Sequence, residues 1–162
     1  MKKIIYTRSS DGGLSVVTAA PKKQLERVFG HMNDEEYETL VWSRSVPEGA
    51  INPVFIEDDA IPDDRYFRDA WRAEDGGIGV DIEKAREIHR NKLRKKRAAI
   101  LEDYDLLYMI ADESGDRAAK QDIANKKRAL RDITVHPDIA AARTAEELKL
   151  AAVEALEELK HQ

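Results

Sequence analysis

The chain has 162 residues, of which 42% are hydrophobic and 36% are charged, and its formal net charge is −5 at pH 7. This length fits one ordinary domain or two very small ones, and the charged share, well above the usual quarter or so, favours long solvated helices over a closed barrel or sandwich. The absence of cysteine excludes disulfides, thiol catalysis and cysteine-ligated zinc. The acidic balance argues against a general nucleic-acid binder, so we do not expect nucleic acid as a partner. No apolar run approaches the roughly 18 residues that span a bilayer, so we do not expect a membrane either.

The beginning of the chain predicts a β-hairpin. Two β-type runs, residues 2–8 and 14–18, flank the sequence Asp11-Gly12-Gly13. Glycine adopts the positive φ that tight turns require, so this pattern predicts two strands joined by a short turn. A third β-type run, residues 54–56, predicts another strand of the same small unit.

Two short helices are predicted between the hairpin and the third strand. The first covers residues 21–29, with a proline at its first position and a glycine just after its end. The second begins at Asn33, which is followed three residues later by Glu36, the pattern of a capping box. Together with the strands, these helices predict a small α+β unit over residues 1–58.

Residues 59–80 predict an acidic connector that contains aromatic side chains. Phe67 and Trp71 are expected to pack on the protein interior. The acids lack the spacing of an EF-hand loop, which places glycine at its sixth position, so a calcium loop is the weaker alternative. Gly76-Gly77 predicts a turn, after which residues 78–80 pair with the segment at Trp71.

Residues 81–162 predict a helical region, because strong helix formers dominate the composition. An apolar stripe runs along the first helix and is interrupted by Arg97. His89 lies on this stripe, and we expect its side chain to be packed or paired. The sequence Thr144-Ala145-Glu146-Glu147 predicts a capping box at the start of the last helix. The predicted class is therefore α+β, a β-hairpin and short-helix unit followed by a helical hairpin and a C-terminal helix. The three predicted helices cover residues 81–112, 117–134 and 145–160.

The last predicted helix carries a narrow apolar seam of the coiled-coil type, made of Leu148, Ala152, Ala155 and Leu159. An isolated helix of about sixteen residues is marginal in water, so this seam needs a surface to lie on. The helical hairpin supplies one within the chain, and a second subunit supplies one between chains. We predict self-association through this seam, because the stripe on the long helix exceeds what the second helix covers.

Residues 84–97 form a basic stretch within the long helix. A basic helix neutralises phosphates, but no aromatic residues are interleaved here to stack on bases. Glu83 and Glu87 are placed to pair with Arg86 and Arg90 at a spacing of three. The stretch is therefore a solvated or internally paired surface, a site for an acidic protein partner, or a nucleic-acid site.

No motif of catalysis is present. The two glycine pairs match neither a P-loop nor a dinucleotide fingerprint, and the four histidines form no His-Glu-x-x-His pattern. A Gly-x-Ser-x-Gly elbow for a serine nucleophile is also lacking. The sequence thus predicts a protein that is not an enzyme and that needs neither a cofactor nor a metal ion.

Several segments resemble proteins of tailed bacteriophages. The run Ile61–Trp71, followed by Val80-Asp81 and by Ala85–Arg90, looks like small proteins encoded among the tail genes of phages and prophages. The runs Leu93–Arg97 and Lys127–Thr134 are similar to the C-terminal region of phage tail fibre assembly proteins, in which an arginine helix precedes an Arg-x-x-Leu-Arg-Asp helix. The likeness by motif covers about residues 60–140.

This resemblance implies a non-enzymatic, chaperone-like tail accessory protein. Its partner would be a tail or tail fibre protein, bound in the cytoplasm of the bacterial host during assembly or retained in the virion tail. The residues expected to make the acidic, backbone or packing contacts with that partner are Arg90, Arg94, Arg97, Arg128, Arg131, Phe67 and Trp71. The alternative is a phage protein that binds a host macromolecule, a defence protein or DNA, through the basic helix 84–97.

Overall fold

A computed structural model describes residues 2–161 of the chain. Helices account for 60% of the residues and strands for 16%, with the strands first, so the predicted α+β class is confirmed. The chain divides into two compact units, one that ends at Asp81 and one that begins at Ile82. Within residues 2–161, every helix falls short of the length or the apolarity that crossing a bilayer requires.

The first unit contains two antiparallel sheets and two helices. Its elements are β1 (Lys3–Arg8), β2 (Leu14–Thr18), α1 (Lys22–Phe29), α2 (Asp34–Ser45), β3 (Ala50–Ile56), β4 (Trp71–Glu74) and β5 (Gly77–Val80). One sheet has the order β2-β1-β3, and the other consists of β4 and β5. The central strand β1 carries Ile4 and Ile5, which are fully buried. Ile4 packs with Ala19 of the loop before α1 and with Val41 of α2, so both parts contribute to one core.

The predicted hairpin is confirmed. Residues Lys3 to Thr7 of β1 pair with Thr18 to Leu14 of β2, and the turn closes with a 2.8 Å hydrogen bond from the Arg8 amide to the Gly13 carbonyl. Gly12 has a φ of 66°, which a residue with a side chain rarely adopts. The third strand is longer than predicted, because β3 begins at Ala50. Its added residues break the regular pairing, since Asn52 has a φ of 48° and Pro53 lacks an amide hydrogen.

Residues 59–80 belong to the first unit and do not form a separate connector, which corrects the predicted division of the chain at residue 58. Trp71 of β4 pairs with Val80 of β5, the strand pair that the sequence predicts. Phe67 and Trp71 are each only 4% exposed, and Ala70 is fully buried. The buried aromatic area stabilises this segment as part of a folded unit, and β4 lies beside β1 and β2.

The second unit consists of helices. They are α3 (Ile82–Glu113), α4 (Arg117–Asp132), α5 (Pro137–Ala141), α6 (Ala145–Leu150) and α7 (Val153–His161). The long α3 and the antiparallel α4 form the predicted helical hairpin around a turn at Gly115, whose φ is 72°. The Asp116 carboxylate begins α4 by accepting hydrogen bonds from the Ala118 and Ala119 amides at 3.1 and 2.9 Å.

The single helix predicted over residues 145–160 is wrong, because the chain turns between α6 and α7. Ala151, the C-cap of α6, has a ψ of 128°, and Ala152 has a φ of 61°, so both residues lie outside the helical region. The predicted capping box of Thr144 and Glu147 is nevertheless present at the start of α6. The helical period thus continues through the sequence, while the backbone leaves the helix at Ala151 and Ala152.

The predicted self-association seam is consequently not one continuous surface. Leu148 is fully buried and Ala152 is 4% exposed, so both side chains lie in the interior of this unit. Ala155 and Leu159 are half-buried on α7, where Leu156 is the residue that points fully inward. The turn at Ala152 separates the two halves of the seam, and these residues are not available together to a second subunit.

Candidate protein-binding site

The arginines predicted to contact a partner divide into two groups, those held by contacts within the chain (Arg90, Arg94 and Arg97) and those that border a cleft (Arg128 and Arg131). Arg97 belongs to the first group. Its Nη1 atom donates hydrogen bonds to the carbonyl oxygens of Leu130, at 3.2 Å, and of Arg131. These carbonyls lie in the last turn of α4, where no amide of the helix remains to satisfy them. A cation at this position also interacts favourably with the negative end of the helix dipole. Arg97 therefore fastens α4 to α3, which corrects its assignment to a partner.

Arg90 and Arg94 both pair with Glu87 on the surface of α3. Arg94 Nη1 lies 3.0 Å from Glu87 Oε1, and Arg90 Nη1 lies 3.6 Å from Glu87 Oε2. The hydrogen bond and charge of Arg94, with the charge of Arg90, lower the pKa of Glu87. Exposed pairs of this kind contribute about 0–1 kcal/mol, so a partner carboxylate exchanges for Glu87 at little cost. This geometry favours internal pairing, the first of the three interpretations of the basic stretch.

Arg86 makes the predicted pair with Glu83, and it also has a role like that of Arg97 that its local spacing did not indicate. Its Nε atom donates to the Ile139 carbonyl at 3.1 Å, and its Nη2 atom donates to the Ala142 carbonyl at 2.8 Å. Both carbonyls belong to the C-terminal end of α5. The partners are more than fifty residues apart in the chain, so no local spacing could have revealed the contact.

His89 is fully buried on the same side of α3. Its Nε2 atom lies 2.9 Å from the carbonyl oxygen of Ala151, the residue that follows α6. A carbonyl oxygen only accepts, so Nε2 carries the hydrogen of this bond. Burial lowers the pKa of His89, with smaller contributions from the charges of Lys96 and Lys92, so the ring is neutral at pH 7. The packed side chain predicted for His89 is confirmed.

Tyr104 is the fourth polar side chain of α3 that binds a backbone carbonyl, and its partner lies near the end of the chain. Its hydroxyl donates a 2.7 Å hydrogen bond to the carbonyl of Leu159 in the last turn of α7. Each of the helices α4 to α7 thus has carbonyls at its C-terminal end bound by a polar side chain of α3. The four side chains that do this are Arg86, His89, Arg97 and Tyr104.

Arg128 and Arg131 form the second group, on the exposed side of α4. They line a cleft of about 330 Å³ together with Tyr108, Ala124 and Lys127. Within residues 2–161, neither guanidinium group makes an ion pair or a side-chain hydrogen bond. The structure therefore brings together two of the five predicted arginines.

The cleft combines positive charge with one aromatic ring. Lys127 Nζ lies 5.0 Å and Lys120 Nζ lies 5.2 Å from the centre of the Tyr108 ring, which places both cations over the ring. Lys127 also pairs with Asp105, and Lys120 pairs with Asp112. The two lysines are thus internally neutralised, and the arginines supply the charge that is open to a ligand. A planar guanidinium matches a carboxylate with two parallel hydrogen bonds.

The two predicted aromatic residues are not at this site. Phe67 and Trp71 are buried in the first unit, so they pack in its interior and present no surface to a partner. A different aromatic pair is accessible there, since Trp42 and Phe55 lie 5.5 Å apart and line an apolar cleft of about 290 Å³. The sequence gave no signal for this pair, because Trp42 lies on α2 and Phe55 on β3.

Among residues 2–161, the side chains that could bind a metal ion do not form a cluster. No three His, Asp or Glu side chains in this range are grouped closely enough to hold a metal ion. No family model matches the chain, and neither does any curated protein or solved structure.

Proposed function

We propose that this protein is a non-enzymatic accessory protein of a bacteriophage tail, and that it binds an acidic segment of a tail or tail fibre protein. The binding site is the cleft of Arg128, Arg131 and Tyr108. The observation that supports this function best is that both guanidinium groups border a cleft and have no carboxylate partner within residues 2–161. The resemblance of residues 60–140 to tail proteins supplies the class of partner.

An acidic segment fits this cleft for two reasons. Aspartate or glutamate side chains accept paired hydrogen bonds from each guanidinium, and these charge-assisted bonds are about twice as strong as neutral ones. The Tyr108 ring and Ala124 offer apolar contact to the stems of the same side chains. The chain as a whole carries a charge of −5, so an acidic partner is favoured where positive charge is concentrated, as it is at this cleft.

Binding of this kind suits an assembly protein. Surface ion pairs with modest apolar contact give a reversible complex, which is released when the fibre or tail reaches its final form. The cytoplasm of the bacterial host during assembly is the expected place of action. A complex that persists would instead make the protein a component of the virion tail.

The test is co-expression of the full chain with the tail fibre protein encoded beside it. We expect the two proteins to co-purify. The variant R128A/R131A should capture at least tenfold less fibre protein, because it lacks both guanidinium groups of the cleft. The matched control is R117A/R143A, which removes two exposed arginines of the same unit outside the cleft. Equal capture by the cleft variant and the wild type contradicts the proposed site.

Two further observations separate the versions of this function. A fibre protein that folds equally well without the chain contradicts a chaperone role, while detection of the chain in purified virions supports a structural one. Capture should also weaken as salt is raised, since screening shortens the range of charge attraction to about 8 Å at 0.15 M.

Binding of a host defence protein or of DNA through residues 84–97 is the second candidate. It has less support, because Arg86 and Arg97 bind backbone carbonyls and Arg90 and Arg94 pair with Glu87. A DNA-binding version requires an affinity that falls steeply with salt. Absence of binding to duplex DNA at about 50 mM salt rules that version out.

A further inference from the structure

The side of α3 that faces away from α4 exposes large apolar side chains, and it is separate from the Arg128–Arg131 cleft. Leu106 and Met109 are 61% and 58% exposed on it, although both are large apolar side chains. They lie at a helical spacing of three, so they form one patch on one side of the helix. We name this side of α3 the outer face, and its members are Lys84, Ile88, Asn91, Lys95, Ala98, Ala99, Glu102, Leu106, Met109 and Glu113.

The outer face has a charge pattern that changes sign at its middle. Its first half carries Lys84 and Lys95, and its second half carries Glu102 and Glu113. Ala98 and Ala99 lie between the halves, and both are exposed. Within residues 2–161, neither Lys95 nor Glu102 makes an ion pair.

This pattern is complementary to itself when one copy is reversed. With a two-fold axis between Ala98 and Ala99, Lys95 of one copy faces Glu102 of the other, and Lys84 faces Glu113. In the same arrangement the half-buried Ile88 faces the exposed Met109, and Leu106 faces the exposed Asn91. A parallel arrangement would instead place each charge against itself. The small alanines at the centre allow the two helices to approach closely.

We propose that two copies of this protein associate through the outer faces of their α3 helices, packed antiparallel about an axis between Ala98 and Ala99. The contact is isologous, so each side-chain pair occurs twice in the dimer. It covers Leu106 and Met109, which otherwise remain in water, and it uses a helix of 32 residues, about 48 Å long at 1.5 Å per residue. Self-association thus occurs on α3 and not on the C-terminal seam.

The first experiment measures the molar mass of the full chain by sedimentation velocity over a range of concentrations. We expect the wild type to pass from 18.4 kDa to twice that mass. The variant L106E/M109E should remain at 18.4 kDa, with unchanged helicity by circular dichroism because both side chains are exposed. A wild type that is still monomeric at about 1 mM overturns the dimer, because its dissociation constant then lies above the millimolar range.

A charge swap then tests the pairing. K95E alone, or E102K alone, places like charges opposite each other twice in the dimer, and each should weaken association about tenfold. The double variant K95E/E102K rebuilds both pairs with reversed sign, so it should recover the wild-type dissociation constant to within about threefold. If K95E/E102K associates as weakly as the single variants, the antiparallel register is wrong.

The absence of native cysteine allows a direct test of orientation. Ala98→Cys places the two thiols beside the axis, and mild oxidation should link the copies, because a disulfide needs Cα atoms within about 7 Å. Glu113→Cys places its thiols at opposite ends of the dimer and should not cross-link. Cross-linking of both variants indicates a parallel pair and overturns the proposal. These measurements use the purified chain alone, so their result does not depend on the tail partner.

Discussion

The side of α3 that contacts the helices after it, here called its inner face, carries charged residues, as the outer face does. The charged residues of the two faces have different roles. On the inner face, Arg86 and Arg97 bind carbonyls at the ends of α5 and α4, and these contacts hold the helical unit together. On the outer face, Lys95 and Glu102 are exposed to solvent. The comparison teaches that a charged residue on a helix acts as a structural clamp or as a binding group according to the side of the helix on which it lies.

The largest expected difference between the faces is in apolar packing. Leu93, which is 1% exposed on the inner face, and Leu106 on the outer face allow the same substitution on the same helix. Leu93→Ala should lower the free energy of unfolding by about 2–5 kcal/mol, because it leaves a cavity. Leu106→Ala should change it by less than about 0.5 kcal/mol at concentrations where the chain is monomeric. Urea denaturation measures both, and equal losses would contradict the assignment of the faces.

The arginines should differ nearly as much. Arg97→Gln removes hydrogen bonds from a charged group to two carbonyls of α4, and we expect a loss of about 1.5–3 kcal/mol in the free energy of unfolding. Arg94→Gln removes only an exposed pair with Glu87, so its loss should stay below about 1 kcal/mol. The same urea titration compares them. If Arg94→Gln is the more destabilising variant, the contact of Arg97 with α4 is not a structural clamp.

The buried histidine of the inner face predicts a pH dependence. The pKa of His89 is lowered in the folded protein, so the unfolded chain takes up the proton first as the pH falls below about 6.5. Stability is therefore fully present above that pH and decreases below it, by at most about 1.4 kcal/mol per pH unit. Urea titrations at pH 7.5 and 5.5 should show this loss in the wild type and a smaller one in His89→Gln.

The control for the histidine is His31, whose side chain is 94% exposed in the first unit. His31→Gln leaves His89 and its contact with the Ala151 carbonyl in place, so this variant should retain the loss of stability that His89 causes. A pH dependence that is the same in His89→Gln and in the wild type shows that the carboxylates of the chain, and not His89, cause the loss.

The smallest effect concerns two tyrosines of α3. Tyr104→Phe removes the 2.7 Å hydrogen bond to the Leu159 carbonyl and should cost about 0.5–1.5 kcal/mol. Tyr108→Phe keeps the ring over which Lys120 and Lys127 lie and should cost less than about 0.5 kcal/mol. Hydrogen exchange of the α7 amides should speed up in the first variant alone, since Tyr104 is what binds the end of that helix.

Local signals in the sequence were sufficient for several elements. The hairpin at Gly12-Gly13, the capping box of Asn33 and Glu36, and the long helix that begins after Asp81 all form as predicted. Each depends on residues a few positions apart, through a positive φ, a side-chain cap or a helical period. Such interactions are present in the chain before any tertiary contact forms, so the sequence displays them directly.

The binding site was predicted less completely, because its parts depend on which side of a helix is covered. The sequence indicated Arg97, Arg128 and Arg131 as equivalent candidates, and packing made Arg97 a structural residue while it left the other two on a cleft. The outer face was overlooked for the same reason. The sequence pattern singled out neither Leu106 nor Met109, and only their exposure in the structure identifies them as a surface.

The sequence by itself determined the α+β class, the strand and helix types, and most of the element boundaries, because these depend on short-range backbone preferences and caps. The tertiary structure decided that residues 59–80 belong to the first unit, that the last helix is divided at Ala152, and that four polar side chains of α3 bind the ends of the helices after it. These contacts join residues 33 to 62 positions apart. No spacing along the chain encodes such a pair, since its energy arises only when distant carbonyls and donors are buried together.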